Sequence, residues 1–187
     1  MQFHPWILEN VPVPCDTALD VGCGDGVLTA RLAPLAKRVM GIDTAASVIA
    51  IARNNVLARN VTFVEGDILS YPFASMRFDF IAAVAVLHHV SLEEGLARLS
   101  GLLLSGGVLA VVGLARDHSL VDYATSAVSV PVARVVRFRK GWWESPATRI
   151  DPVINYSDIR AAAMRLLPGV EVRRRLFFRH TLLWRKP

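Results

Sequence analysis

The chain has 187 residues, 53% of them hydrophobic, with a formal net charge of +5, which suits one domain with a substantial core and excludes a disordered chain. No apolar run reaches the ~20 residues of a bilayer-spanning helix, and the opening MQFHPWILENVP has no basic leader with an apolar core. The two cysteines, Cys15 and Cys23, have neither metal-ligand nor redox spacing, so a cytoplasmic protein with reduced thiols is expected.

Residues 18–114 alternate between strand and helix patterns. Ala18–Val21 is a short apolar strand that runs into glycines, and Val27–Leu35 reads as a helix with Pro34 near its end. Arg38–Ile42 is a second strand, ending at Asp43. Ala45–Ala58 carries Val48, Ile51, Ala52 and Val56 roughly on one helical face. Val61–Val64 is a third strand, followed by Glu65-Gly66-Asp67. Phe78–Val84 is almost wholly apolar, the pattern of a strand buried on both faces. Ser91 with Glu94 three residues on predicts a capping box for a helix over Leu92–Leu103. Gly106-Gly107 punctuates the chain before a fifth strand, Val108–Leu114.

The remainder reads differently. Asp117–Lys140 is apolar and ends in a basic cluster, and Gly141–Pro152 reads as a loop. Ser157 is a candidate cap for a helix through Leu167, and Val170–Phe177 and Arg179–Arg185 read as two strands. Charge is uneven as well. Residues 1–133 hold 8 Lys and Arg against 12 Asp and Glu, whereas residues 134–187 hold 13 against 4. A basic third of this kind meets an acidic ligand or, more simply, solvates one face of the fold.

Strands alternating with helices predict an α/β fold: a parallel sheet covered by helices, with ligands bound at the carboxyl ends of its strands. The stretch LDVGCGDG, Leu19–Gly26, lies at the first such end. Glycine there permits positive φ and close approach of a ligand to the backbone. The dinucleotide fingerprint G-x-G-x-x-G would place its third glycine at position 27, which is Val27. Asp20 at the strand end repels a pyrophosphate and suits a cationic ligand. A dinucleotide oxidoreductase therefore fails on both counts, and no phosphate loop of the form G-x-x-x-x-G-K-[ST] is present.

LDVGCGDG resembles the first motif of the class I S-adenosylmethionine-dependent methyltransferases, and the similarity runs in register from Thr17 to Leu114. GID at Gly41–Asp43, EGDIL at Glu65–Leu69, FDFIAAVAVLHHV at Phe78–Val90 and LLLSGGVLAVV at Leu102–Val112 resemble the later motifs. The run L-H-H-V is similar to the small-molecule "type 11" branch. The resemblance implies a Rossmann-like sheet of seven mostly parallel strands, helices on both faces, and an antiparallel C-terminal strand pair. It implies S-adenosylmethionine as cofactor, with S-adenosylhomocysteine as product. By the same resemblance, Asp20 accepts a hydrogen bond from the cofactor's amino end, and Gly22, Cys23, Gly24 and Gly26 form the turn along its methionine portion. Asp43 holds the ribose, with Thr44 beside the adenine. Asp67 and the Ile68 backbone fix the adenine edge, with Ile68 covering its face, and Ala83 offers a carbonyl near the amino group.

Methyl transfer needs an aligned nucleophile, and a base only where that nucleophile must lose a proton. His88 and His89 follow the fourth strand and are the candidates for such a base, the alternative being a packing or lining role. No histidine and carboxylate spacing suggests a metal site. The fourth strand is followed by VAVLHH rather than [DNS]-P-P-[YFW], and no Pro-Cys nucleophile occurs. This directs the expected acceptor toward small molecules and away from nucleic-acid bases. The chain is expected to be a single domain, 1–187, with residues 1–15 as a short cap carrying Phe3, Trp6, Ile7 and Leu8. Residues 117–156 are expected to form an insert over the substrate site, with Tyr123 on an apolar wall and Arg134, Arg137, Arg139 and Lys140 meeting an anion. Three alternatives stay open: an RNA or protein methyltransferase docking through the basic third, a cofactor-binding module without turnover, and a homodimer that completes the site.

Overall fold

The computed structural model describes residues 3–114, 155–175 and 179–187. The insert expected over the substrate site, with Tyr123 and the Arg134–Lys140 cluster, lies outside the described residues except for its last two positions.

A seven-stranded sheet organises the chain, in the order β3-β2-β1-β4-β5-β7-β6. Its strands are β1 (Thr17–Val21), β2 (Arg38–Asp43), β3 (Val61–Glu65), β4 (Phe78–Val84), β5 (Leu103–Leu114), β6 (Glu171–Arg175) and β7 (Arg179–Arg185). β1 to β5 are parallel, whereas β7 runs antiparallel to β5 and β6 antiparallel to β7. The expected α/β architecture is therefore the observed one. From β1 the chain builds outward to β2 and β3, then returns to the other side of β1 for β4 and β5. The strand order reverses between β1 and β4, where a crevice opens at the carboxyl edge.

Side chains alternate across this sheet with the period of two that strands impose. On one face Ala18, Phe80, Ala82, Val108, Ala110 and Val112 pack with Ile7 of α1 (His4–Glu9) and with Leu28 and Leu32 of α2 (Val27–Leu32). On the other, Leu19, Val21, Ile81, Ala83, Leu109 and Val111 pack under Leu96 and Leu99 of α4 (Leu92–Leu102) and Ile159 and Ala163 of α5 (Tyr156–Leu166). Burial on both faces explains why β4 and β5 read as unbroken apolar runs. α3 (Ala46–Asn55) adds a smaller cluster in which Ile49 and Ala52 meet Cys23 and Phe63. The N-terminal segment is thus part of the core, since Ile7 is fully buried.

Several expected boundaries move. α2 stops at Leu32 rather than Leu35, and α3 spans Ala46–Asn55 rather than Ala45–Ala58. Ser91 does occupy the N-cap of α4, yet its side chain makes no capping bond. Asn155, not Ser157, sits at the N-cap of α5. β5 does not begin after Gly106-Gly107 but runs through them from Leu103, because Leu103 pairs with Phe78. Lys186 helps hold that irregular start: its backbone bonds both glycines, and its ammonium donates to the carbonyls of Ser100 (2.9 Å) and Leu103 (2.8 Å). β6 starts at Glu171 rather than Val170, and its expected end at Phe177 lies outside the described residues. At the amino edge, one Asp79 carboxylate oxygen accepts hydrogen bonds from the Asp16 and Thr17 amides and the Thr17 hydroxyl, tying β1 to β4.

Candidate active site

The glycine turn follows β1 directly. The amides of Gly22 and Cys23 both donate to the Ile42 carbonyl (2.8 and 3.1 Å), so the turn is pinned to the end of β2. Gly22, Gly24 and Gly26 have φ of 66°, 54° and 84°, a region that costs an L-residue roughly 1–2 kcal/mol. They differ in what surrounds them. A Cβ on Gly22 would lie 2.3 Å from Cγ2 of Val86, and one on Gly26 would meet Phe63 and Val56 at 2.9 Å. A Cβ on Gly24 would meet nothing within 4 Å. Gly22 and Gly26 are therefore packing glycines, while Gly24 leaves open space above the turn.

Asp43 ends β2 and reaches back to this turn. One carboxylate oxygen accepts from the Gly24 amide and the other from the Ala45 amide, both at 3.0 Å. Each oxygen retains a lone pair, because a carboxylate offers about four acceptor positions. The pair is thus held in a fixed plane with acceptor capacity to spare. Thr44, next to it, is exposed.

The loop after β3 supplies a second fixed carboxylate. Asp67 accepts from the Leu69 amide at 2.9 Å and is exposed. Ile68 is 5% exposed and packs into the core, so its N–H, which donates to no group among the described residues, is what it offers a ligand. Arg98 of α4 holds this loop by donating to the carbonyls of Ile68 (3.1 Å) and Tyr71 (2.6 Å). The sequence gives no sign of that role, which depends on α4 lying under the loop.

Asp20 turns away from the open space. It is 1% exposed, and the Thr29 hydroxyl on α2 donates to it at 2.6 Å. Burial pushes its pKa up to about 7, against the pull of the Thr29 hydrogen bonds, with the Asp43 charge adding to the rise. Cys23 is buried as well. Desolvation, then Asp20 and Asp43, raise its thiol far above the ordinary range, which leaves it inert as a nucleophile.

Ala83 lies in β4 opposite Val21, one residue before the glycine turn. Two residues on, Ala85 has φ of 56°, a backbone strain that its side chain does not favour and that no residue pattern announces. It turns the chain so that Val86 covers Gly22, and the 3₁₀ turn Leu87–His89 follows. The rings of His88 and His89 are 3.9 Å apart. His89 is exposed, whereas His88 is half-buried, with a buried Nδ1 that has no hydrogen-bond partner among the described residues. Burial, then His89 and Arg179, lower the pKa of His88, so its imidazole is neutral near pH 7. The described residues contain no cluster of three or more metal-ligating side chains, and no helix among them is long and apolar enough to cross a membrane.

The cradle has known relatives. An uncharacterized methyltransferase of Mycobacterium bovis is 34% identical over 181 residues, covering 95% of this chain and 90% of its own length. The family described as "Methyltransferase domain" matches residues 19–111. The chain belongs to the class I S-adenosylmethionine-dependent methyltransferases. Two solved structures share the fold of this methyltransferase. The N-methyltransferase NodS from Bradyrhizobium japonicum WM9, in complex with S-adenosyl-l-homocysteine, has a TM-score of 0.68 at 19% identity, covering 100% of this chain and 86% of its own. Magnesium protoporphyrin IX methyltransferase from Synechocystis PCC 6803, with bound SAH, has a TM-score of 0.65 at 16% identity, covering 100% and 80%.

The residues fit the family's cofactor. Open space over Gly24, two oriented carboxylates and an undonated amide at Ile68 face the same strand ends.

Proposed function

We propose that this methyltransferase modifies a small-molecule acceptor bound at the carboxyl edge beside β4 and β5. When bound, S-adenosylmethionine supplies an electrophilic methyl group on a sulfonium centre. Asp43 would hold its ribose hydroxyls through the lone pairs left free by Gly24 and Ala45. Asp67 and the Ile68 amide would hold the adenine edge, and the Gly22–Gly24 backbone would lie along the methionine portion. The observation that carries this reading is Asp43, locked to the Gly24 amide directly below open space.

His88 would accept a proton from an acceptor that needs to lose one, since its Nδ1 is unpartnered and its ring neutral. Its neighbour His89, exposed to solvent, serves that role less well.

A small acceptor is supported by how the arginines of β6 are used. Arg173 pairs with Glu171 at 2.9 Å, Arg174 lies over the Tyr156 ring at 4.5 Å, and Arg175 donates to the Thr181 hydroxyl at 3.2 Å. Each of the three arginines thus already has a partner within the fold.

Calorimetric titration with S-adenosylmethionine, S-adenosylhomocysteine and NAD tests the cofactor half. The first two are expected to bind at micromolar concentration and NAD not at all. Incubating the protein and methyl-labelled cofactor with separated small-molecule, RNA and protein fractions of a cell extract tests the acceptor half. Label is expected in the small-molecule fraction, and label confined to RNA or protein rejects the reading. His88→Gln is expected to leave cofactor affinity within twofold and to lower turnover at least tenfold; unchanged turnover removes His88 from the chemistry.

A further inference from the structure

We propose that Arg179 anchors an anionic group, a carboxylate or phosphate, on the methyl acceptor, at a subsite formed with the Phe3 ring and the His88 turn. The inference rests on the methyl-transfer reading above and names the acceptor's chemistry.

Position is the first argument. Arg179 opens β7 and pairs with Leu114, the last residue of β5. Because β7 is antiparallel, its first residue stands at the same edge as the carboxyl ends of β4 and β5. β7 is three strand spacings from β1, roughly 14 Å, which sets Arg179 apart from the glycine turn and on the acceptor side of His88.

Direction is the second. Along β7, Leu182 and Trp184 join the core under α4 and α5, while Leu183 joins the opposite one. Arg179 has the parity of Leu183, and its guanidinium lies 5.8 Å from the centroid of Phe3, at the start of α1. An aromatic ring beside a guanidinium offers an apolar wall and a cation to a single ligand.

Charge is the third. Arg179 is half-buried, and burial lowers its pKa, yet a guanidinium stays protonated. The ion pairs among the described residues are Lys37–Asp16, Arg165–Glu93 and Arg173–Glu171; none involves Arg179. Its charge reaches His88 and His180, and it lowers the pKa of both after burial has done so. A half-buried cation beside the His88 turn, with no carboxylate partner among the described residues, is unfavourable until an anion arrives. The charge-assisted, bidentate bonds that arginine forms with carboxylate and phosphate are the interactions that compensate it.

The test uses the full chain saturated with S-adenosylhomocysteine and titrated with benzoate, phenyl phosphate and neutral benzamide, followed by NMR shifts and calorimetry. At least one of the two anions is expected to bind fivefold or more tighter than benzamide, and the better one identifies the acceptor's group. Arg179→Gln is expected to abolish that preference, and Arg179→Lys to retain part of it. Cofactor-product affinity within twofold of the parent in both variants shows that they fold. The proposal is overturned if neither anion is preferred over benzamide, or if the preference survives in Arg179→Gln. It is equally overturned if Arg179→Gln folds, by its circular dichroism, but loses tenfold or more in product affinity, which would place Arg179 on the cofactor. Failure of the parent to bind S-adenosylhomocysteine would instead reject the methyl-transfer reading, and the anion preference is then read on the chain alone.

Discussion

The two halves of the carboxyl edge are built from opposite materials. Around β1, β2 and β3 stand Asp20, Asp43 and Asp67, each accepting hydrogen bonds from this chain's own backbone or hydroxyls. Around β4, β5 and β7 stand His88, His180 and Arg179; both imidazoles have a buried Nδ1 without a partner among the described residues. One half is acidic, its carboxylates oriented by the chain itself; the other is basic, with imidazole nitrogens that have no partner among the described residues. A cofactor that carries ammonium and sulfonium charge suits the first. The difference teaches that the carboxylates proposed to hold the cofactor are oriented before binding, whereas the imidazoles proposed to face the acceptor keep bonding capacity unused among the described residues.

That contrast can be broken most severely at Gly22. A Cβ there meets Val86 at 2.3 Å with φ of 66°, and Val86 belongs to the segment that links the halves. Gly22→Ala is expected to destabilise the fold by roughly 2–5 kcal/mol, the sum of left-handed strain and overpacking, measured by urea unfolding. Gly24→Ala, with open space around its Cβ, is expected to lose only the strain, about 1–2 kcal/mol, yet to weaken cofactor binding by filling the cradle. Equal destabilisation by the two would show that Val86 does not lock the turn.

The acidic half carries a pH signature next in size. Asp20 has a folded pKa of about 7 against an ordinary value of 3.8. The folded state therefore binds a proton that the unfolded state releases between those values, and this residue's contribution to stability falls as pH rises from about 4 to about 7. His4 and His180, both lowered to about 4 by burial, act oppositely: their contribution rises between about pH 4 and 6.5. Their opposition hides the Asp20 slope in the parent. Asp20→Asn uncovers it as a difference: variant minus parent stability is expected to grow by a few kcal/mol between pH 4 and pH 8. A flat difference would mean that Asp20 is ionised in the fold throughout.

The smallest expected effect sharpens the division of labour. Asp43→Ala is expected to weaken S-adenosylhomocysteine binding by about 1–3 kcal/mol, the cost of unpairing polar groups, and to leave the anion preference at Arg179 unchanged. Loss of both in a folded variant would mean that the halves are energetically one site.

The sequence made the parallel half of this molecule readable because its strands are apolar on both faces and end in residues with a reason to be there. LDVGCGDG, GID and EGDIL all lie at the strand ends where they were expected. Gly106-Gly107 misled because glycine usually stops a strand; here Lys186, distant in sequence, stitches the glycines into one. The missing cap bond at Ser91, and the N-cap taken by Asn155 rather than Ser157, show a local pattern yielding to side-chain geometry. The Thr29 partner of Asp20, the Arg98 clamp on the loop after β3 and the Ala85 turn depend on how helices settle over the sheet. None leaves a periodic or compositional trace. The anion contact expected at Arg134, Arg137, Arg139 and Lys140 lies outside the described residues, while the one proposed at Arg179 is argued from position rather than from density of charge.

The strand order also has a consequence for how the protein is made. During synthesis the segment through β5 emerges before β6 and β7, and it contains the entire acidic half of the edge. β6 lies outside β7 and pairs with no other strand among the described residues, so its place in the sheet is set by β7 docked on β5. A nascent chain can therefore close the acidic half of the edge while Arg179 is still unplaced. The parallel block forms a template with one open flank, and the antiparallel pair joins it as a later, separate event.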